Sequence, residues 1–194
     1  MRYIKWVFWI LIAALIGGFL FYTLPRHEVV RILDAYEKRV DLGNNSLFYA
    51  QPDSGEAVAD GRDVRFIDTI RDNGKQLVFR NEDTSWDWPP YFKFNSADLN
   101  AQAKDLISTK ENPQWVLMRY YGWRSNFLSI YPNATSLKPV PTADYTVIPW
   151  FNIVFLTILA WLVWRIWRWW DRVYEEKIEP RFDSIRYKIR GTGE

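Results

Sequence analysis

The chain is apolar near both ends and polar between them, and this layout limits its architecture more than anything else in the sequence. Trp6 to Leu24 is an uncharged run of 19 residues, and Val147 to Trp164 is a second of 18. As helices rising 1.5 Å per residue they would each be roughly 27–28 Å long, close to the hydrocarbon thickness of a bilayer. The mean hydropathy of −0.27 would suit a soluble protein, but an average hides such segments and local windows decide. The sequence therefore predicts a cytoplasmic start at 1–5, a membrane helix at 6–24, a β-rich domain at 25–146, a second membrane helix at 147–166 and a charged tail at 167–194.

Basic residues set the expected orientation. Arg2 and Lys5 precede the first run, and Arg165, Arg168 and Arg172 follow the second. The positive-inside rule then places both termini in the cytoplasm and the central domain in the periplasm of a bacterial inner membrane. A cleaved signal peptide is the rival reading of the first run. It fits less well because Gly18-Phe19-Leu20-Phe21-Tyr22 is bulky where small residues should precede a cleavage site. The tryptophans gathered at the inner ends of both runs, among them Trp6, Trp9, Trp161 and Trp164, suit a headgroup-level belt.

Composition removes several chemistries. Cysteine is absent and histidine occurs once, at His27. Disulfides, thiolate catalysis, two-histidine metal sites and a Ser-His-Asp triad are thus hard to build. His27 reads most simply as a headgroup-level residue. Between residues 25 and 146 there are 15 Lys+Arg and 17 Asp+Glu, a net charge of −2; this is a poor match for nucleic acid. No cofactor or metal is expected. An enzyme would have to use carboxylates such as Glu82, Asp83, Asp87 and Asp98.

The central segment reads as strand, strand, strand, helix, strand, strand. Strands are expected at 28–40, with Val30, Ile32, Tyr36 and Val40 on one face, and at 63–71, with Val64, Phe66 and Ile70 on one face. Asp72-Asn73-Gly74 then supplies an Asn-Gly hairpin signal of the type I′ kind, before a partner strand at 76–81. The segment 41–61 reads as a long loop with a short strand at 47–50. Ser96 to Leu106 has helical spacing, with Ser96 as the expected cap. The last strands are placed at 115–121 and 127–137, with Gly122 as a bend between them. A helix between strands three and four is the arrangement of an OB-like five-stranded barrel.

Candidate contact residues follow from these placements. Trp86, Trp88 and Tyr91 lie in a proline-stiffened aromatic loop that reads either as a platform for a sugar, peptide or partner, or as a plug for the barrel end. Trp123 and Arg124 form a second stretch, with Arg124 expected to pair with Glu82, Asp83 or Asp98. In the first apolar run, Ala13, Ala14, Gly17 and Gly18 form small-xxx-small pairs suited to close helix packing. Asn152 in the second run reads as interhelical glue.

Asn81-Glu82-Asp83, Phe92 to Leu99, Tyr121-Gly122-Trp123-Arg124, Phe127 to Asn133 and the opening of the second run from Pro149 to Thr157 resemble a bacterial family of unknown function. Its members are two-pass inner-membrane proteins, notably in alphaproteobacteria, and the resemblance spans about residues 1–168. It implies the architecture and no assigned activity, cofactor or catalytic residue. The function expected from these features is that of a membrane-anchored interaction module. Such a protein would be an accessory or assembly subunit, or an envelope factor, presenting its β-domain to a partner. The partners expected are the lipid bilayer, another membrane or periplasmic protein, and a second copy of the chain. A carboxylate-dependent envelope enzyme or a sugar- or peptide-binding domain is the alternative.

Overall fold

A computed structural model describes residues 2–40, 62–84 and 89–173. The chain divides into two compact units, Met1–Ile148 and Pro149–Glu194. The first begins with helix α1, Arg2–Thr23. Pro25 stops it, since it has no N–H to continue the ladder and disfavours helical backbone at Leu24. Strands β1 (Arg26–Val40), β2 (Arg62–Ile70) and β3 (Gln76–Arg80) follow, then helix α2 (Ser96–Asp105), β4 (Trp115–Tyr121) and β5 (Asn133–Val140). The five strands close into a barrel in the order β1-β2-β3-β5-β4. This is the OB-like arrangement, with α2 between strands three and four.

β1 closes most of the barrel. Its first part, Arg26 to Arg31, pairs with β4, and its remainder, Arg31 to Val40, pairs with β2. The β1–β2 register shifts between Ile32 and Asp34, leaving Leu33 as the extra residue of a bulge. A one-residue insertion exchanges the two faces of a strand. Val30 and Ile32 therefore enter the core, as does Ala35 beyond the bulge, where Leu99 and Ala103 of α2 join Ile67, Phe79, Val116 and Met118. Tyr36 and Val40 point the other way, onto a second cluster with Val64 and Phe66. The sequence placed all four β1 residues on one face, and the bulge is why they divide. In β2, Val64 and Phe66 share a face, as expected, and it is the face of this second cluster, while Ile67 joins the main core and Thr69 is buried.

Other boundaries also move. Residues 126–129 form a turn instead of the start of a strand, and β5 begins at Asn133. The β2–β3 turn sits where Asn73-Gly74 predicted it, with a different geometry. Gly74 donates to the Arg71 carbonyl at 3.0 Å, and Arg71 donates to the Lys75 carbonyl at 3.0 Å. Only Gly74 of the pair has positive φ, at 78°. This is a three-residue loop, a type I turn closed by a left-handed glycine, and not a type I′ turn. The short strand expected at 47–50 lies outside the described residues.

The second unit holds helix α3, Trp150–Val173. The Pro149 carbonyl accepts its first helical bond, from Ile153 at 3.1 Å. Segments Trp6–Thr23 of α1 and Trp150–Arg172 of α3 are both long and apolar enough to cross a membrane, and neither is buried by protein.

Candidate functional site

The joint between α1 and the barrel, and the polar knot beside it, bring together several of the residues singled out in the sequence, among them Gly18, Tyr91 and Trp123 at the joint and Glu82 and Asp83 in the knot. Gly122 follows β4 with φ of 96°, a conformation that favours glycine. A Cβ there would meet Pro132 Cα at 3.4 Å. The turn lets the Gly122 N–H donate to the Tyr22 carbonyl at 2.9 Å. Tyr22 meets Tyr121 and Trp123 edge-on, with centroids 6.2 and 5.4 Å away. Tyr91 stacks on Tyr121 at 4.5 Å and 7°, and its hydroxyl donates to the Thr23 carbonyl at 2.6 Å. Burial pushes the Tyr91 hydroxyl well above the usual phenol range, so it stays a protonated donor. The last turn of α1 is thus built into the barrel through two of its carbonyls and its Tyr22 ring.

Behind Tyr121 lies a buried polar knot. β3 and β5 share one backbone pair, Arg80↔Asn133, so side chains complete the closure. Asn133, 0% exposed, accepts from the Glu82 N–H at 3.0 Å and donates to the Glu82 carbonyl at 3.1 Å and the Tyr121 hydroxyl at 3.0 Å. Glu82 pairs with Arg80 at 2.8 Å. The Lys93 amine donates to Asn81 Oδ1 at 2.6 Å and to the Glu82 carbonyl at 3.0 Å, with Asp83 3.9 Å away. Asp83 accepts from both the backbone N–H (2.8 Å) and hydroxyl (2.7 Å) of Ser96. A carboxylate at the N-terminus of α2 also opposes the helix dipole favourably. The expected cap, Ser96, therefore lies inside the helix, and the capping oxygen comes from Asp83 across the fold.

Burial lowers the Lys93 amine to about 8, against the opposing pull of Asp83. An amine in that range suits acid–base work. Here it is 6% exposed and its protons are directed at protein acceptors, so the arrangement acts as a staple. Lys93 and Asn133 carried no functional reading in the sequence; their pairing with Asn81-Glu82-Asp83 appears only once the barrel closes. His27 lies opposite Arg119 in the β1–β4 ladder. Burial and then Arg119 lower its pKa from the ordinary 6.5, so it is neutral at pH 7.

Arg124 donates to the carbonyls of Ser125 (3.2 Å) and Ile130 (2.9 Å) and lies over the Tyr131 ring at 4.2 Å. The carboxylates offered to it by the sequence go elsewhere: Glu82 to Arg80, Asp83 to Ser96, while Asp98 is exposed in the first turn of α2. Trp123 is 37% exposed and its ring lies 3.8 Å from the Cβ position of Gly18. A Cβ at Gly17 would meet nothing within 4 Å, and Ala13 and Ala14 are exposed on α1. Asn152 is half-buried in the first turn of α3. Trp86, Asp87 and Trp88 lie outside the described residues. Among the described residues no group of three or more His, Cys, Asp or Glu side chains could hold a metal ion.

The chain belongs to the family described as protein of unknown function, DUF1523, whose match covers residues 1–174 of the chain. An uncharacterised protein of Haemophilus influenzae is 39% identical over 157 residues, which cover 77% of this chain and 85% of that protein. No solved structure matches the chain.

Proposed function

We propose that this member of the DUF1523 family is a two-pass membrane protein that holds its OB-like domain at the outer surface of a bacterial inner membrane and presents it to a partner. The observation that carries this reading is the pair of unburied apolar helices on either side of one closed barrel. Arg2 and Lys5 before the first helix, with Arg165, Arg168 and Arg172 in the second, favour cytoplasmic termini. The role is that of an accessory or assembly subunit, since Glu82, Asp83 and Lys93 are engaged in holding the fold. The built-in last turn of α1 supports an anchor over a cleaved leader. Removing residues 1–24 would delete the carbonyls that Gly122 and Tyr91 bond.

Reporter fusions test the topology. Alkaline phosphatase fused after residue 100 should be active, and at residue 194 only a cytoplasmic reporter should work. Loss of an N-terminal tag from the mature chain would instead support a signal peptide. In-cell crosslinking followed by mass spectrometry should then recover a recurring membrane or periplasmic partner, and recovery of monomer alone would defeat the interaction role.

A further inference from the structure

Because β3 and β5 meet only at Arg80↔Asn133, the other half of β3, Gln76 to Phe79, has no strand on its second edge among the described residues. A cleft of about 1120 Å³ opens there, walled on the far side by Gly17, Gly18 and Phe21 of α1. Among the described residues four cations line it, Arg26, Arg71, Lys75 and Arg124, and no carboxylate does. That is a local reversal in a segment, 25–146, whose net charge is −2. Arg71 is partly neutralised by Glu28 at 2.6 Å, and Arg124 is engaged with loop carbonyls. Arg26 is differently placed. Its guanidinium lies between the Phe21 and Tyr120 rings, 4.3 and 4.9 Å from their centroids, and donates to the Gly122 carbonyl. Its buried Nε has no hydrogen-bond partner. Lys75 is exposed at the hairpin tip.

Apart from Gln76 and Asn126, the rest of the lining is apolar or without side chains. Leu77, Phe79 and Tyr120 form one surface, and the open Gly17 leaves room along α1. A ligand suited to this cleft combines a compact anion for the cations with a hydrocarbon portion for the α1 side. Cations near anionic headgroups each add favourable energy at a membrane surface, and guanidinium groups match phosphate oxygens well. We propose that this cleft binds the phosphate headgroup of an anionic phospholipid, with the acyl chains running along α1 past Gly17 and Gly18. The proposal rests on the reading that α1 spans the membrane, which sets the cleft at headgroup depth.

The test is native mass spectrometry of the full chain in a neutral detergent. It would be titrated with dioleoylphosphatidylglycerol, dioleoylphosphatidylcholine and inorganic phosphate in turn. Phosphatidylglycerol should be retained in preference to phosphatidylcholine. Lys75→Glu, which changes an exposed side chain and keeps the backbone bonds of the turn, should weaken that retention about tenfold, and Arg26→Gln should weaken it by a similar factor. Thermal melts of both variants check the fold. If Arg26→Gln melts early, Lys75→Glu alone decides. Equal retention of both lipids, or retention indifferent to Lys75→Glu, overturns the proposal, as does binding of inorganic phosphate without lipid. A photo-crosslinker at Gln76 that captures a peptide instead of lipid also overturns it, in favour of strand addition at the free β3 edge. Alkaline carbonate extraction of membranes is read separately. Release of the chain there defeats the membrane reading, whereas lipid selectivity in detergent is scored independently of it.

Discussion

The two halves of β3 have opposite fates. Its end at Arg80 is buried, with its N–H donating to the Pro132 carbonyl at 2.9 Å, and the Asn133 side chain holds the backbone of the following Glu82. Its start, at Gln76, is exposed and borders an open cleft. Where the β1–β2 and β1–β4 ladders are long, backbone pairing holds the barrel; at the β3–β5 seam a single backbone bond, from Arg80 to the Pro132 carbonyl, is supplemented by a few polar side chains. Buried polar groups must then be fully paired, because each orphan costs about 1–3 kcal/mol. The closed half should therefore be sensitive to single substitutions and the open half tolerant of them.

The largest effect is expected at Asn133. Replacing it with Leu removes three hydrogen bonds and leaves the Glu82 N–H without its side-chain acceptor. With the Glu82 N–H and carbonyl both affected, the loss should be about 4 kcal/mol. Full-length protein in mild detergent should melt at clearly lower temperature by circular dichroism. Gln76→Ala, at the open start of β3, should change stability by under about 0.5 kcal/mol. Equal effects at the two positions would erase the proposed contrast.

Lys93→Met is expected next, at about 3 kcal/mol, since Asn81 Oδ1 and the Glu82 carbonyl lose their shared donor. Lys93 also gives this half a pH signature. Its amine is lowered to about 8 in the folded protein, below the ordinary 10.4 of an unfolded lysine. Between those values the unfolded chain binds more protons, so the Lys93 contribution to stability rises with pH through that window and is flat below it. The difference between parent and Lys93→Met should change across that interval; a constant difference would mean that Lys93 is not buried as a charged staple.

How much of this was legible in the sequence follows from the range of the interactions. Element order was readable because each strand and helix carries its own periodicity, and α2 and β4 fell close to where the spacing put them. The faces of β1 were not, because the bulge at Leu33 is set by pairing with β2 and leaves no mark in β1 alone. The cap on α2 was assigned to the nearest hydroxyl, Ser96, whereas the tertiary fold supplies Asp83. The polar knot was invisible for the same reason: Asn81, Lys93 and Asn133 come from three separate segments. Tyr91 read as part of either a platform or a plug for the barrel end, and what its ring stacks on, Tyr121, could not be named from its own segment.

Glycines at the two ends of the contrast differ in a smaller way. Gly122 and Gly74 both have positive φ, 96° and 78°. An alanine at Gly122 meets that backbone strain and the Pro132 Cα at 3.4 Å, in a turn whose N–H anchors α1. Its loss should be about 2 kcal/mol, with the α1 joint weakened in step. Limited proteolysis should then cut the Leu24–Arg26 connection faster. An unchanged cleavage rate would mean that the joint does not depend on this turn.

The smallest effect belongs to the hairpin at the open end, and it separates the observed turn from the one that Asn-Gly usually signals. In a type I′ turn both Asn73 and Gly74 would need positive φ, and a β-branched residue at either would be costly. Here only Gly74 is left-handed, and a Cβ there meets nothing within 4 Å. Gly74→Ala should thus cost about 1 kcal/mol, from backbone conformation alone. Asn73→Val should cost only a few tenths, mainly through the lost bond from the Lys75 N–H to Asn73 Oδ1 at 3.1 Å. Both differences can be read from melting curves of the full chain. If Asn73→Val proves as damaging as Gly74→Ala, residue 73 is constrained after all and the open end of β3 is more tightly specified than its geometry implies.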